Sequence, residues 1–560
     1  MDRAFDYGSK GCRFDSCRAR DKIWSNHESV WAMGSDMVDR LQRSRFVAQV
    51  VASVESHLCD TQHDGAQQLR ILTEQGALRY WLLNFSDFVA SQWELCESLS
   101  LAEQQEIQTK SPLTAGSGSL PLLRMTDLLE ASQTDQWASR LRFDILEYWH
   151  NFGHQALNEQ SAPISVSISP KIGAKTAQTS KRIVLSRTYL SRFQEVLLAA
   201  LCRTVPLRWA EPELVNNVDH DLREQLRFIR QDDEHGSLDH CIRVLLPNYL
   251  PQSLLEHFSQ ILKFGNNRVK EVPAVIFTAN LHVGSDSFLI WATYKRLEGS
   301  KFVCSQHGGL NGQGLVPTRG EEFEQTFPDR FLHWGWGHSD KSTRIPAQLL
   351  VGSTSRRKRS NHNELLMITD CTFRNSRKSW SSVEDDRMYR EMLLDSYSRI
   401  PPHIQKSTII RLHHDHDKYD SSHREMWESA HPHAQIDDGK NSIEPLQRRA
   451  RLVMCTTLGT SEIVQFGKSI PTILRLHPEV HAVRGSCADL FQMMEEQNLV
   501  HYSSESVQMF LEKFWDNLDS WWTSDGVQNV RSDYLERFGY RSSRPLREIR
   551  DVLLAIRSTG

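Results

Sequence analysis

Apolar residues recur at helical spacing through residues 30–110, in Val47, Val50, Val51 and Val54 and again from Leu78 to Leu95. That spacing predicts helices with one buried face. A loop rich in glycine, serine and proline (SPLTAGSGSLP, residues 111–121) interrupts the pattern, which resumes over 122–157 with Trp137, Leu141 and Leu146. Residues 161–180 are polar and carry prolines, a surface loop or linker. Helices are predicted next over 190–201, 219–230 and 253–262. At Val272 the pattern changes. Short apolar runs bounded by turn residues appear at 272–278, 302–304, 330–333 and 348–351, with helical stretches between several of them. Such alternation predicts a parallel α/β sheet. A polar, basic break follows at 353–361 (STSRRKRSN). Beyond it, strands are predicted at 364–369, 408–413, 451–456, 470–474 and 500–502, and helices at about 384–398, 460–467, 487–497 and 504–516. The expected organisation is a helical region over 31–265, a first α/β half over 266–355, a hinge at 356–362, a second α/β half over 363–525 and a C-terminal helix over 526–560. A cleft between two such halves is where a ligand is expected to bind.

Composition narrows the class. A chain of 560 residues implies more than one domain. Its 39% hydrophobic and 24% charged residues are ordinary for a globular protein. A net charge of −4 gives no electrostatic reason to expect nucleic acid. No apolar run is long enough to cross a bilayer. The ten cysteines are scattered without CxxC pairs, which reads as reduced thiols in a cytoplasm. The fifteen tryptophans suit buried indoles or sugar-stacking platforms. The first thirty residues hold charges and no apolar core, so they do not read as a signal peptide. Arg13-Phe14-Asp15-Ser16 is what the T-arm of a tRNA gene gives when translated. Residues 1–30 are therefore expected to be a disordered tail or a mis-assigned start.

Candidate chemistry centres on Gln306-His307-Gly308-Gly309, which closes the 302–304 run and opens the turn Leu310 to Gly314. Gly308 and Gly309 let backbone N–H groups approach an anion closely. His307 can titrate near neutrality. Asn280, His282 and Asp286 follow the 272–278 strand and belong to the same carboxyl edge. Glu321 and Glu324 are three apart and share a face on a helix. Asp329 stands just before the next strand. Carboxylates beside a histidine suit general acid–base work or stabilisation of an oxocarbenium-like transition state. His307, Asp286, Glu321, Glu324 and Asp329 are thus the catalytic candidates. In the second half, Gly459-Thr460-Ser461-Glu462 opens a helix as a capped, anion-accepting terminus. Arg374, with Arg377 and Lys378 beside it, and Arg411 follow strands and offer charged donors to phosphates. Gly308, Gly309, Arg374, Arg411, Thr460 and Ser461 are the ligand-binding candidates. The stretch Arg411 to Asp417 (RLHHDHD) has the residue types of a metal box. No distant partner motif accompanies it, so no metal site is expected. Arg356 to Arg359 reads as a linker or a membrane-surface patch.

These residues resemble a family. Leu78-Arg79-Tyr80-Trp81 with Trp93, the Gln306–Gly309 block with Glu321, Glu324, Asp329 and Trp334-Gly335-Trp336, and Arg411-Leu412 carry the first part of the resemblance. Ile436-Asp437 with Gly439, Thr460 to Gly467 with Pro471-Thr472, and Trp521-Trp522 carry the rest. Together they resemble a transferase family of bacterial surface-polysaccharide and O-antigen clusters, first catalogued in spirochaetes, over roughly residues 65–545. Members usually have tyrosine after the histidine-diglycine, where Leu310 stands here, followed by Asn311. Ser461 and Glu462 stand where a second threonine and an aromatic are common. The resemblance implies a metal-independent, GT-B-like glycosyltransferase of two Rossmann-like α/β lobes with a helical N-terminal region. It implies a nucleotide-sugar donor as substrate, similar to the CMP-linked donors of Kdo and capsule transferases, and no tightly bound cofactor. The implied acceptor is a saccharide or lipid-linked saccharide, and the implied location is the cytoplasm with room for peripheral contact at the inner membrane. On this plan His307 serves as base or as donor to the leaving phosphate, and one of the carboxylates sits nearest the anomeric carbon. A nucleotide-sugar epimerase or polyol-phosphate transferase on the same plan, and a non-catalytic sugar-nucleotide-binding scaffold, are the alternatives.

Overall fold

The computed structural model describes residues 35–60, 67–109, 121–154, 179–226, 228, 235–337, 339–352, 363–371, 383–419 and 422–558. Residues 1–30, the hinge at 356–362 and Arg374, Arg377 and Lys378 lie outside the described residues.

Two parallel sheets organise the molecule. The first holds β1 (Ser180–Leu185), β2 (Pro273–Thr278), β3 (Lys301–Ser305), β4 (Arg330–His333) and β5 (Ser342–Arg344), neighbours in that order. The second holds β6 (Glu364–Ile368), β7 (Thr408–Arg411), β8 (Gln435–Asp437), β9 (Ala450–Cys455), β10 (Thr472–Arg475) and β11 (Val500–His501), in the order β11-β10-β9-β6-β7-β8. That order reverses between β6 and β9. The carboxyl ends of these two strands therefore open a crevice, the place where doubly wound sheets hold ligands.

The alternation of side chains along each strand explains how the layers stack. In the first sheet Ile183, Leu185, Val275, Phe277, Val303 and Leu332 face a core continuous with that of the second lobe. Val184, Ile276, Phe302, Cys304 and Phe331 point the other way, into a core shared with the helical region. Both faces are covered, so the strands read as unbroken apolar runs. The helical region packs around Arg79–Ser98, which contacts helices Ser35–Asp60 and Asp135–Phe152 and, in the first lobe, Arg319–Thr326. Among the described residues no helix is long and apolar enough to cross a membrane.

Several elements differ from expectation. β1 falls inside the region read as helical. Its apolar core, Ile183-Val184-Leu185, is too short for periodicity to tell strand from helix. Residues 348–351 are no strand. Gln348–Leu350 forms a 3₁₀ turn, and the Gln348 amide bridges the Trp334 indole (2.6 Å) and the Ser305 hydroxyl (2.6 Å). The fifth strand is the polar Ser342–Arg344, at the sheet edge where one flank needs no partner. The C-terminal segment forms two helices, Asp525–Phe538 and Pro545–Ser558, because Gly539 and Pro545 punctuate it. The second returns to the first lobe, buries Ile549 and Leu553, and packs against β2 and helix Arg192–Leu201.

Candidate active site

β3 delivers its carboxyl end to the seam between the lobes. Just beyond it, Gln306 is fully buried and shapes the turn. Its amide nitrogen donates to the Gly308 carbonyl (2.7 Å), and its oxygen accepts from the Trp334 N–H (3.1 Å) and the Trp336 indole (2.7 Å). Gly309 then meets the second lobe. Its N–H donates to Thr460 Oγ1 (3.2 Å), and a Cβ added there would stand 1.6 Å from the Gly459 carbonyl oxygen. No side chain fits, which accounts for glycine at this position. Gly312 also requires glycine, with φ of +81° and the Trp336 ring against it.

His307 sits between these contacts. Its Nδ1 lies 2.9 Å from Glu324 Oε1, and His282 Nε2 lies 3.3 Å from the same oxygen. Asn311 Nδ2 donates to the other oxygen at 3.2 Å. Thr318 caps helix Arg319–Thr326 by accepting from the Glu321 N–H (3.0 Å), and the helix turns both Glu321 and Glu324 inward. Arg319 fixes its position with two contacts of 2.8 Å to Asp87 on helix Arg79–Ser98. Burial alone would push the Glu324 carboxyl up. The two imidazoles outweigh it and hold it at about 2. Burial pulls the His307 imidazole down, but Glu324 and a backbone hydrogen bond to Ala279 outweigh it, so His307 is raised above 6.5. Burial dominates at His282, which is lowered. The cluster is a histidine backed by a charged carboxylate, an arrangement suited to taking up a proton.

Beside His307 lies a cavity of about 510 Å³ between the first lobe and the helical region. Tyr80, Trp81 and Phe88 supply aromatic walls, and His282, Asp286 and His307 supply polar ones. Asp286 opens helix Asp286–Leu297, capped by Ser285. Asp286 Oδ2 accepts from the Met125 N–H (2.6 Å) and the Ser253 hydroxyl (2.5 Å). Burial pushes its carboxyl up to about 6 against those bonds. Asp286 Oδ1 and the Trp81 indole nitrogen have no hydrogen-bond partner among the described residues.

The other predicted residues scatter. Glu321 joins the lobes: Arg484 Nη2 donates to it at 2.5 Å, and the Gly312 N–H at 3.2 Å. Asp329 stands apart from the acid–base cluster. It accepts from the Phe302 N–H (2.7 Å) and pairs with Arg296 (3.1 Å) at the amino end of β3, whereas His307 follows the carboxyl end. Arg411 spends its guanidinium on Asp437 (2.5 Å) and on the Gly439 and Asn441 carbonyls (2.9 and 2.6 Å). Thr460 and Ser461 begin helix Thr460–Gly467, with Thr460 against Gly309. The Thr456 hydroxyl is buried against Tyr389 (2.7 Å) and the Ile368 carbonyl (3.0 Å) and serves the fold.

The seam also holds Tyr534 and Arg484, which sequence reasoning missed, and gives Glu462, read there only as part of a helix start, partners of its own. Glu462 is fully buried and accepts from the Gly459 N–H (2.7 Å) and the Tyr534 hydroxyl (3.1 Å), while Tyr534 also donates to Gln313 (2.9 Å). Burial pushes the Glu462 carboxyl up to about 7. Arg484 donates further to the Gly314 carbonyl (2.8 Å), and Gly314 and Val483 form an antiparallel bridge across the lobes. Tyr534 and Arg484 lie over 150 positions from the histidine, beyond any local signal.

No curated protein matches the chain. Among solved structures it is similar to Anabaena HepE in complex with UDP and glucose, at 9% identity over 68% of this chain and 100% of that one, with a TM-score of 0.38. It is similar also to Acinetobacter baumannii MurG, at 8% identity over 67% and 99%, with a TM-score of 0.32. Both are distant likenesses, and the site stands on its own geometry. Residues 75–553, which take in both sheets and every contact of the seam, match the description LIC12162 family transferase, and the chain belongs to that family.

Proposed function

We propose that the chain is a glycosyltransferase that moves a sugar from a nucleotide-activated donor to a saccharide or lipid-linked saccharide acceptor. The observation that carries this is the position of His307, with Glu324 at its back, the cavity at its side and the second lobe's Thr460 within two residues' reach. The donor nucleotide occupies the crevice at the carboxyl ends of β6 and β9, its phosphates toward the amino end of helix Thr460–Gly467. The acceptor occupies the cavity, where the Asp286 carboxylate and the Trp81 indole can engage one of its hydroxyls as acceptor and donor. His307 takes the proton of the attacking hydroxyl, and Glu324 steadies the imidazolium that forms. The transfer as proposed involves neither a metal nor a resident cofactor. We infer a role in O-antigen, lipopolysaccharide or capsule assembly, with the protein in the cytoplasm and in peripheral contact with the inner membrane.

The test is turnover of a panel of UDP-, CMP-, GDP- and dTDP-sugars with saccharide acceptors, with products read by mass spectrometry. Wild type forms a glycosidic bond, and His307→Ala loses transfer by about two to four orders of magnitude while keeping its circular dichroism spectrum. Near-normal transfer by folded His307→Ala rejects the role of the imidazole. Free nucleotide without a new glycosidic bond in wild type rejects glycosyl transfer.

A further inference from the structure

Helix Arg192–Leu201 follows the loop that carries Tyr189, whose ring lies 6.4 Å from that of His307. One face of the helix buries Leu198 and Ala199 in the core. The opposite face shows Phe193, Val196, Leu197 and Ala200 to solvent at i, i+3, i+4 and i+7, a continuous apolar stripe. Phe193 is 72% exposed and Val196 56%, and Val205 just beyond the helix is 66% exposed. The helix's single carboxylate, Glu195, is turned back onto the Thr188 hydroxyl at 3.1 Å. Exposed Arg192 stands at the start of the helix and exposed Arg203 just past its end, and Arg550, Arg557 and Asp551 of helix Pro545–Ser558 approach Cys202 beside it. Large aliphatic and aromatic side chains gathered on one exposed face mark a contact surface. An apolar centre flanked by four arginines and one carboxylate, net positive, complements a layer that is anionic outside and apolar within.

We infer that this face seats the protein on an anionic phospholipid surface, with Phe193, Val196, Leu197 and Val205 in the interfacial layer and the fringing arginines against headgroup phosphates. The whole chain carries −4, so the attraction is local to this patch and not a bulk effect. The placement gives the membrane contact of the proposed function a defined surface, and only its link to acceptor delivery rests on that reading.

The experiment is co-sedimentation of the full chain with vesicles of phosphatidylcholine containing phosphatidylglycerol, against vesicles of phosphatidylcholine alone. Wild type pellets with the anionic vesicles and much less with the neutral ones. The Phe193→Ser/Val196→Ser/Leu197→Ser variant, and separately Arg192→Glu/Arg203→Glu, pellet about tenfold less, with melting temperatures unchanged because the altered side chains are exposed. Absence of wild-type binding overturns the inference, as does equal binding to neutral vesicles or wild-type binding by the triple variant. A wild-type dimer in light scattering that the triple variant converts to monomer also overturns it, because a second copy then covers the stripe. Donor binding, read by thermal shift without vesicles, tests the chemistry separately. A wild-type chain that binds donor but not anionic vesicles overturns this surface alone and leaves the proposed chemistry standing.

Discussion

At the scale of single residues, the site is governed by how burial competes with charge pairing. His307 and Glu324 stabilise one another's charged forms, so removing the carboxylate leaves only the backbone hydrogen bond to Ala279 against burial at the imidazole. A base must be deprotonated to act, so the acid limb of the kcat/KM profile in wild type lies above 6.5. Glu324→Gln is expected to move that limb to lower pH and to reduce kcat at its new optimum, and a pH–rate series on a fixed donor checks both. Glu462 runs in the opposite sense. Its carboxyl titrates near 7 in the fold against 4.5 ordinarily, so the folded chain binds the proton more tightly. Stability from this group falls as pH rises from 4.5 to 7 and stays lowered above. Glu462→Gln is expected to match wild type at low pH and to exceed it above neutrality by on the order of 3 kcal/mol at most, read from denaturant unfolding at several pH values. That His307 and Glu324 would lie near one another was legible because a strand end, a diglycine and an i, i+3 acidic pair are local signals. The roles of Arg411 and Asp329 were not. Nothing in the sequence shows that Asp437 and two carbonyls engage one, or that Arg296 and the Phe302 N–H engage the other.

At the scale of elements, the turn after β3 meets the start of helix Thr460–Gly467 at Gly309, where there is no room for a side chain. Gly309→Ala places a methyl 1.6 Å from the Gly459 carbonyl and 2.7 Å from the Thr460 nitrogen, both backbone atoms that cannot turn aside. The lobes must separate, and the donor side moves from the acceptor side by a fraction of the methyl's width. A loss of about a hundredfold in kcat/KM is expected, with secondary structure intact, and kinetics with small-angle scattering reads both. β2, β3, β4 and most of the second sheet were legible because strands buried on both faces are unbroken apolar runs between turn residues. β5 escaped because an edge strand can be polar, and 348–351 misled because its Leu349 and Leu350 cap the core from a 3₁₀ turn. The Tyr534–Glu462–Gln313 network was invisible because its members meet only after the chain has crossed both lobes.

At the scale of the molecule, the two lobes share one continuous core, and the last described helix belongs to the lobe built first in sequence. The Tyr540 N–H and carbonyl bond the Trp334 carbonyl (2.9 Å) and the Ala347 N–H (2.8 Å), and the Arg557 guanidinium reaches the Lys181 carbonyl (3.3 Å). Deleting the chain from Pro545 onward uncovers the face of β2 and helix Arg192–Leu201. Burial of Ile549 and Leu553 contributes roughly 1.5–3 kcal/mol each. The truncated protein is expected to melt earlier in calorimetry, in a transition assigned to the first lobe by hydrogen exchange in β1 and β2. The same return of the chain orders events during synthesis. A ribosome reading this message completes the first sheet at Arg344 and makes its covering helix, Pro545–Ser558, only after the whole second lobe. Until then the nascent first lobe presents an apolar flank to chaperones and proteases, so a ribosome that stalls within the second lobe leaves a fragment marked for degradation, not a working half.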